Sequence, residues 1–251
     1  MRVAFVGKGG SGKSAISGTL VRILAAEGKK VLAIDSDPMP GLAFSIGVDL
    51  TDVGIPDDAV EENPDEGGPR YRLKPGITSA EAIEKYAAYG PDGIRFLQFG
   101  KLRGPSSELF RSQMAFHQIL RELKPNGWSV VGDLPGGTRQ PFFGWGRYAR
   151  MLIVVAEPTA KSLLSARRLA RLELMKEAPR VVAVANKVRE PADIELVAAH
   201  TDLEVIGAVP EDQAVVDADR RGRPLIDEAP DCPAVAAVRS LARTLQQEAG
   251  Q

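Results

Sequence analysis

The chain has 251 residues, with 32 Lys+Arg against 33 Asp+Glu, 44% hydrophobic and 26% charged residues, 25 Gly and 18 Pro. That composition excludes a collagen-like or largely disordered chain and leaves room for one α/β domain with a sizeable core. The formal net charge of -1 supplies no global attraction to nucleic acid or anionic membranes, and a lone cysteine, Cys232, excludes an intramolecular disulfide.

The elements follow in chain order. Val3–Val6 is an apolar run suited to a buried strand, too short for a signal peptide before Gly7-Lys8-Gly9-Gly10 interrupts it. From Lys13 to Glu27 the residues Ile16, Leu20, Ile23 and Leu24 recur at helical spacing, and Gly28 ends the pattern. Val31–Ile34 is a second strand, stopping at Asp35-Ser36-Asp37-Pro38, so a helical crossover joins two parallel strands. The stretch 49–70 carries Asp52, Asp57, Asp58, Glu61, Glu62, Asp65 and Glu66 among prolines and glycines, and is expected to be a solvated, mobile loop. Strands are then predicted at Ile94–Phe99, Trp128–Asp133, Met151–Val155, Val181–Ala185 and Glu204–Val209. Helices are predicted at Glu108–Leu123, Lys161–Lys176 and Ala234–Gln247. The expected fold is a single doubly wound α/β domain, a mostly parallel sheet with helices on both faces. No window nears 18 uninterrupted apolar residues, and a soluble, cytoplasmic protein is expected.

Gly7-Lys8-Gly9-Gly10-Ser11-Gly12-Lys13-Ser14 fits G-x-x-x-x-G-K-[ST] between a strand and a helix. Backbone amides from Gly9 to Ala15, the helix N-terminus and the Lys13 ammonium suit the phosphates of a nucleotide, and the Ser14 hydroxyl suits Mg²⁺. Asp35 and Asp133 end apolar strands, which places them at the ligand-binding crevice of a parallel sheet, where carboxylates hold Mg²⁺ directly or through its waters. Asn186-Lys187 begins like the guanine-reading N-K-x-D, but Arg189 stands where the aspartate would be, so adenine is expected, with ATP and ADP as ligands.

The second lysine carries a family resemblance. Lys8-Gly9-Gly10-Ser11-Gly12-Lys13-Ser14 resembles the deviant Walker A motif of the SIMIBI-class ParA/MinD superfamily, which includes nitrogenase iron proteins and CooC nickel-insertion ATPases. Ile34-Asp35-Ser36-Asp37-Pro38 resembles its D-x-D-P segment, Val130–Gly137 its Walker B and second switch, Ala185–Val188 its base-binding strand end, and Val209-Pro210-Glu211-Asp212 a nucleotide-contacting turn. The resemblance implies an ATP-dependent homodimer in which Lys8 reaches the partner's nucleotide and Asp37 orients the attacking water. It places Asp35 and Asp133 near Mg²⁺, and Asn186, Lys187, Pro210 and Glu211 around the base and ribose. Phe99-Gly100-Lys101 through Phe110, and Val131–Gly137, are most similar to the CooC and iron-protein branch. That branch implies a client protein, yet Arg103–Glu108 lacks the branch's metal-binding cysteines, so no iron–sulfur cluster is expected.

Other features receive plainer readings. His117 and His200 have no neighbouring ligand at useful spacing. The stripe Val235, Val238, Leu241 and Leu245 suits core packing, not a membrane surface. Two basic clusters, Lys161, Arg167, Arg168, Arg171 and Lys176, then Arg220, Arg221 and Arg223, keep open a ParA-like alternative that binds DNA non-specifically. Phe142, Phe143, Trp145 and Tyr148 cluster after the second switch, as core or as a partner surface.

Overall fold

The computed structural model describes residues 1–37, 41–49, 54–64, 68–99, 106–124, 127–175 and 178–249, with the backbone alone for 106–109. In chain order, β1 (Arg2–Gly7) passes through the glycine-rich loop into α1 (Lys13–Ala26), then β2 (Val31–Asp35) and α2 (Leu42–Ile46). Next come β3 (Val60–Glu62), β4 (Tyr71–Leu73), α3 (Ser79–Tyr86), β5 (Ala88–Tyr89), β6 (Arg95–Gln98), α4 (Ser106–Glu122) and β7 (Ser129–Asp133). The chain continues with α5 (Arg139–Phe142), β8 (Met151–Ala156), α6 (Ala160–Ala170), β9 (Arg180–Val188) and α7 (Pro191–Thr201). It closes with β10 (Val205–Pro210), α8 (Gln213–Arg221), α9 (Leu225–Glu228) and α10 (Pro233–Ala249).

Eight strands form one sheet in the order β10-β9-β8-β1-β7-β2-β6-β5, parallel throughout except for β5 at the edge. Alternation along each strand divides the core. Val3 and Phe5 of β1 face α1 and α10, whereas Ala4 and Val6 face α4 and α6. Helices therefore cover both faces, as the fold class requires. The expected stripe of α10 is buried. Because β1 lies between β7 and β8, the chain leaves it in one direction to β2 and later fills the other side with β8, β9 and β10. Such a reversal opens a crevice at the C-terminal ends of the central strands.

The acidic stretch departs from the expected loop. Its described part contains a 3₁₀ turn at Asp57–Ala59 and the antiparallel pair β3–β4. Val60, Tyr71 and Leu73 are buried against α4, where Arg111 pairs with Asp57 and donates to the Val60 carbonyl, and Gln118 accepts from the Leu73 amide. Asp52, Asp65 and Glu66 lie outside the described residues. The helix predicted to reach Lys176 ends at Ala170 and tightens into a 3₁₀ turn over Arg171–Leu174; Lys176 itself is not described.

The aromatic cluster splits. Phe143 is exposed, Trp145 packs edge-on against Phe99 and beside His117, and Tyr148 is buried with its hydroxyl against Gly132 of β7. A Cβ at Gly132 would overlap that hydroxyl. Gly132→Ala should therefore lower stability by about 1–3 kcal/mol through overpacking. Tyr148→Phe, which removes a buried hydroxyl without a hydrogen-bond partner, should restore part of the loss, and thermal unfolding of the two single variants and the double variant checks it.

Candidate functional site

Glycines shape the loop after β1. Gly10 (φ 80°) and Gly12 (φ 91°) adopt left-handed backbone, and a side chain on Gly12 would collide with the Asn186 amide. Gly136, from the segment after β7, lies so close that its missing Cβ would fall 2.7 Å from the Gly9 Cα, and the Gly137 amide donates to the Gly7 carbonyl at 3.0 Å. The loop and the segment after β7 are thus in direct backbone contact.

Lys13, the first residue of α1, is buried at 7% exposure, and its Nζ donates to the Lys8 carbonyl at 3.4 Å. The Lys8 side chain lies outward and donates to the Gly9 carbonyl at 3.3 Å. Ser14 Oγ donates to Asp133 Oδ2 at 2.5 Å, while Asp133 Oδ1 is buried without a partner. Asp35 accepts from the amides of Asp37 (2.9 Å) and Leu42 (3.0 Å), so both residues stand at the end of β2. Burial, only partly offset by Lys13 and the Ser14 hydroxyl, pushes the Asp133 carboxyl up to about 6. Burial and the neighbouring Asp133 raise Asp35 as well. Lys13 compensates these two buried carboxylates only in part, and the hard oxygen donors of Ser14, Asp35 and Asp133 fit Mg²⁺.

A cleft of about 190 Å³ adjoins the loop. Its walls come from Gly12, Ala15 and Ile16 on one side and from Asn186, Lys187, Pro210 and Glu211 at the ends of β9 and β10 on the other; Val215 and Val216 of α8 close it. Asn186 Nδ2 donates to the Ser11 carbonyl at 2.7 Å. Lys187, held at φ 57°, donates to the Gly10 carbonyl at 3.2 Å and pairs with Glu157 at 2.5 Å. Arg189 forms a two-pronged pair with Glu211 at 2.6 and 3.1 Å across the cleft mouth. The predicted site residues from Lys8 to Glu211 therefore lie around the C-terminal ends of β1, β2, β7, β9 and the edge strand β10.

A profile of the CobQ/CobB/MinD/ParA nucleotide-binding domain matches residues 3–225, nearly the whole sheet and the entire site. The chain belongs to this family. An ATP-binding protein of Methanocaldococcus jannaschii is 29% identical over 245 residues, covering 90% of this chain and 91% of the relative. The carbon monoxide dehydrogenase accessory protein CooC of Rhodospirillum rubrum is 29% identical over 244 residues and covers 92% of both. The septum site-determining protein MinD of Pyrococcus horikoshii, solved with Mg-ADP, superposes with a TM-score of 0.74 at 20% identity, covering 99% of this chain and 96% of that one.

Within this CobQ/CobB/MinD/ParA domain, sequence reasoning had missed two participants. Glu157, buried immediately after β8, holds Lys187 against the glycine-rich loop. Its signal was present: a carboxylate directly following an apolar strand, as with Asp35 and Asp133. The other is the close approach of Gly136 to Gly9: the sequence singles out its segment, Val130–Gly137, but the contact is long-range. The histidines take ordinary places, His117 beside Trp145 and His200 on the Leu196 carbonyl. Cys232 is half-buried next to α10, and residues 103–105 lie outside the described chain. No described helix is long and apolar enough to cross a membrane.

Proposed function

We propose that the protein is a Mg²⁺-dependent ATPase whose ATP-bound form closes into a homodimer, and that this closure acts as a switch on a client protein, as an accessory or maturation factor does. The observation that carries the reading is the convergence of three features on one loop: the buried Lys13, the Ser14–Asp133 pair with a free carboxylate oxygen, and the adjoining cleft.

Gly9 to Ala15 and Lys13 hold the phosphates, and Ala15, Asn186, Lys187, Pro210 and Glu211 surround the base and ribose. Ser14, Asp35 and Asp133 hold Mg²⁺, which when bound neutralises charge on the phosphates. Asp37, tied to Asp35 through its backbone amide, orients the attacking water. Lys8 lies on the outer side of the loop, where it is available to a second subunit. The accessory role rests on similarity to CooC, named as an accessory protein of carbon monoxide dehydrogenase.

Adenine is the supported base because Arg189 is engaged by Glu211 and no carboxylate occupies the guanine-reading position. ATP should bind at least ~10-fold more tightly than GTP, a difference of about 1.4 kcal/mol, in calorimetric titration. Equal affinities would contradict the base assignment. Single-turnover phosphate release with Mg²⁺, lost in EDTA, separates an ATPase from an adaptor that binds without hydrolysis.

A ParA-like reading, in which the dimer binds DNA, draws support from Lys161, Arg167 and Arg168, exposed on α6 without ion pairs among the described residues. The second basic cluster gives less, because Arg221 and Arg223 are paired with Glu228, and Arg220 lies 3.9 Å from Asp217. Hydrolysis stimulated by non-specific DNA, and lost at high salt, would favour this second reading.

A further inference from the structure

At the opposite end of the sheet from the phosphate loop, three adjacent strands begin on arginine. Arg2 opens β1, Arg150 immediately precedes β8 and Arg180 opens β9. Backbone hydrogen bonds tie them in a row: the Arg150 amide donates to the Arg2 carbonyl at 2.9 Å, and the Arg180 amide to the Arg150 carbonyl at 3.1 Å. Neighbouring strands stand about 4.8 Å apart, so like charges placed this way repel.

Among the described residues only Arg180 is neutralised. Arg180 is paired with Glu204 at 2.7 Å and with Glu248 at 2.8 Å. Among the described residues no carboxylate pairs with Arg2 or Arg150. The Arg2 guanidinium reaches the Leu123 carbonyl at 3.4 Å, and its Nε is buried without a partner. Burial, with Arg150 alongside, holds Arg2 below its ordinary range. These two arginines border a cavity of about 460 Å³, walled also by Trp128, Met151 and Leu245, with Glu248 turned to Arg180.

We infer that this cavity binds a small phosphomonoester carried on a flat apolar body, its phosphate between Arg2 and Arg150 and its body against Trp128. A guanidinium fork matches phosphate oxygens two at a time. Two uncompensated cations call for a dianion, and a phosphomonoester carries about -1.5 to -2 charge at pH 7, where one carboxylate carries a single charge. The cavity volume lies within the range of about 300–1,000 Å³ usual for small-molecule pockets, and the indole offers the apolar wall such pockets need. The nucleotide site, at the other ends of the same strands, is not involved.

Phenyl phosphate is a suitable probe, titrated calorimetrically into the full chain at low salt, with phenol as the neutral control. Saturable binding of phenyl phosphate and none of phenol is expected. Arg150→Ala, an exposed position at which loss of folding is not expected, should weaken binding at least ~10-fold, as removal of one charge-assisted contact does. Trp128→Phe should retain binding. ATP hydrolysis should be unchanged in both. No saturable binding with about 10 mM probe would overturn the inference. So would binding that is indifferent to Arg150→Ala, because the probe would then occupy the phosphate loop or another site.

Discussion

Replacing Lys13 with alanine should weaken ATP binding between about 30-fold and a few thousand-fold, the equivalent of ~2–5 kcal/mol for truncating one partner of a buried charge pair. Lys13 opens α1, is almost fully buried and, among the described residues, has only the Lys8 carbonyl as a hydrogen-bond partner, at a long 3.4 Å. That weak bond is readily exchanged for phosphate oxygens, so the ammonium is poised at the loop without being committed to a structural ion pair. Thermal unfolding without nucleotide should therefore change little, while the upward shift in midpoint that ATP confers on the wild type should vanish. Calorimetry and the unfolding shift together distinguish a lost ligand contact from a lost fold.

The second large effect separates Lys8 from Asp37. The Lys8 ammonium donates to the carbonyl of its own neighbour, Gly9, and among the described residues it has no ion pair. Lys8→Ala should accordingly leave ATP binding by the single chain nearly intact. Turnover should fall by about 10³-fold, the lower end of what a cation supplied in trans contributes to phosphoryl transfer. Asp37 sits next to the buried Asp35, with its amide bound to that carboxylate. Asp37→Ala should cut hydrolysis by roughly 10²–10⁴-fold, the range for a group that positions or deprotonates a nucleophile, while ATP still binds and closure still occurs. Single-turnover rates and equilibrium binding, measured on both variants, give the split. Equal loss of binding in the two would assign both residues to the phosphate cradle.

The parts of this architecture legible in the sequence are local ones. β1, α1 and β2 announce themselves by apolar runs broken at glycines, and the loop between β1 and α1 has a spacing that few other structures need. Asp35 and Asp133 were identifiable because each terminates an apolar strand. The same reasoning extends to Glu157, but it needs β8 to lie next to β1, which only the assembled strand order supplies. β3 and β4 were hidden for a different reason. Each has three residues, too few to display alternation, and the acidic side chains around them describe the solvent face alone. Their buried residues, Val60, Tyr71 and Leu73, have meaning only beneath α4. α7 was obscured because it buries little besides Val197 and Thr201 and so shows no apolar stripe. α8 likewise buries one residue, Ala218, yet it supplies a wall of the cleft beside the glycine-rich loop. The basic cluster at Arg220–Arg223 shows the converse limit: its charge was visible, but its neutralisation by Glu228 depends on how α8 meets α9.

The central claim, that ATP drives closure of two chains, is tested most directly by light scattering coupled to size-exclusion chromatography. The measurement compares wild type, Lys8→Ala and Asp37→Ala in the presence of Mg²⁺ with ATP or ADP. The account predicts that Asp37→Ala with ATP accumulates at twice the mass of one chain, that ADP returns it to the lighter species, and that Lys8→Ala stays light with either nucleotide. An unchanged mass for Asp37→Ala under saturating ATP, or a Lys8→Ala chain that dimerises and hydrolyses like the wild type, would contradict it.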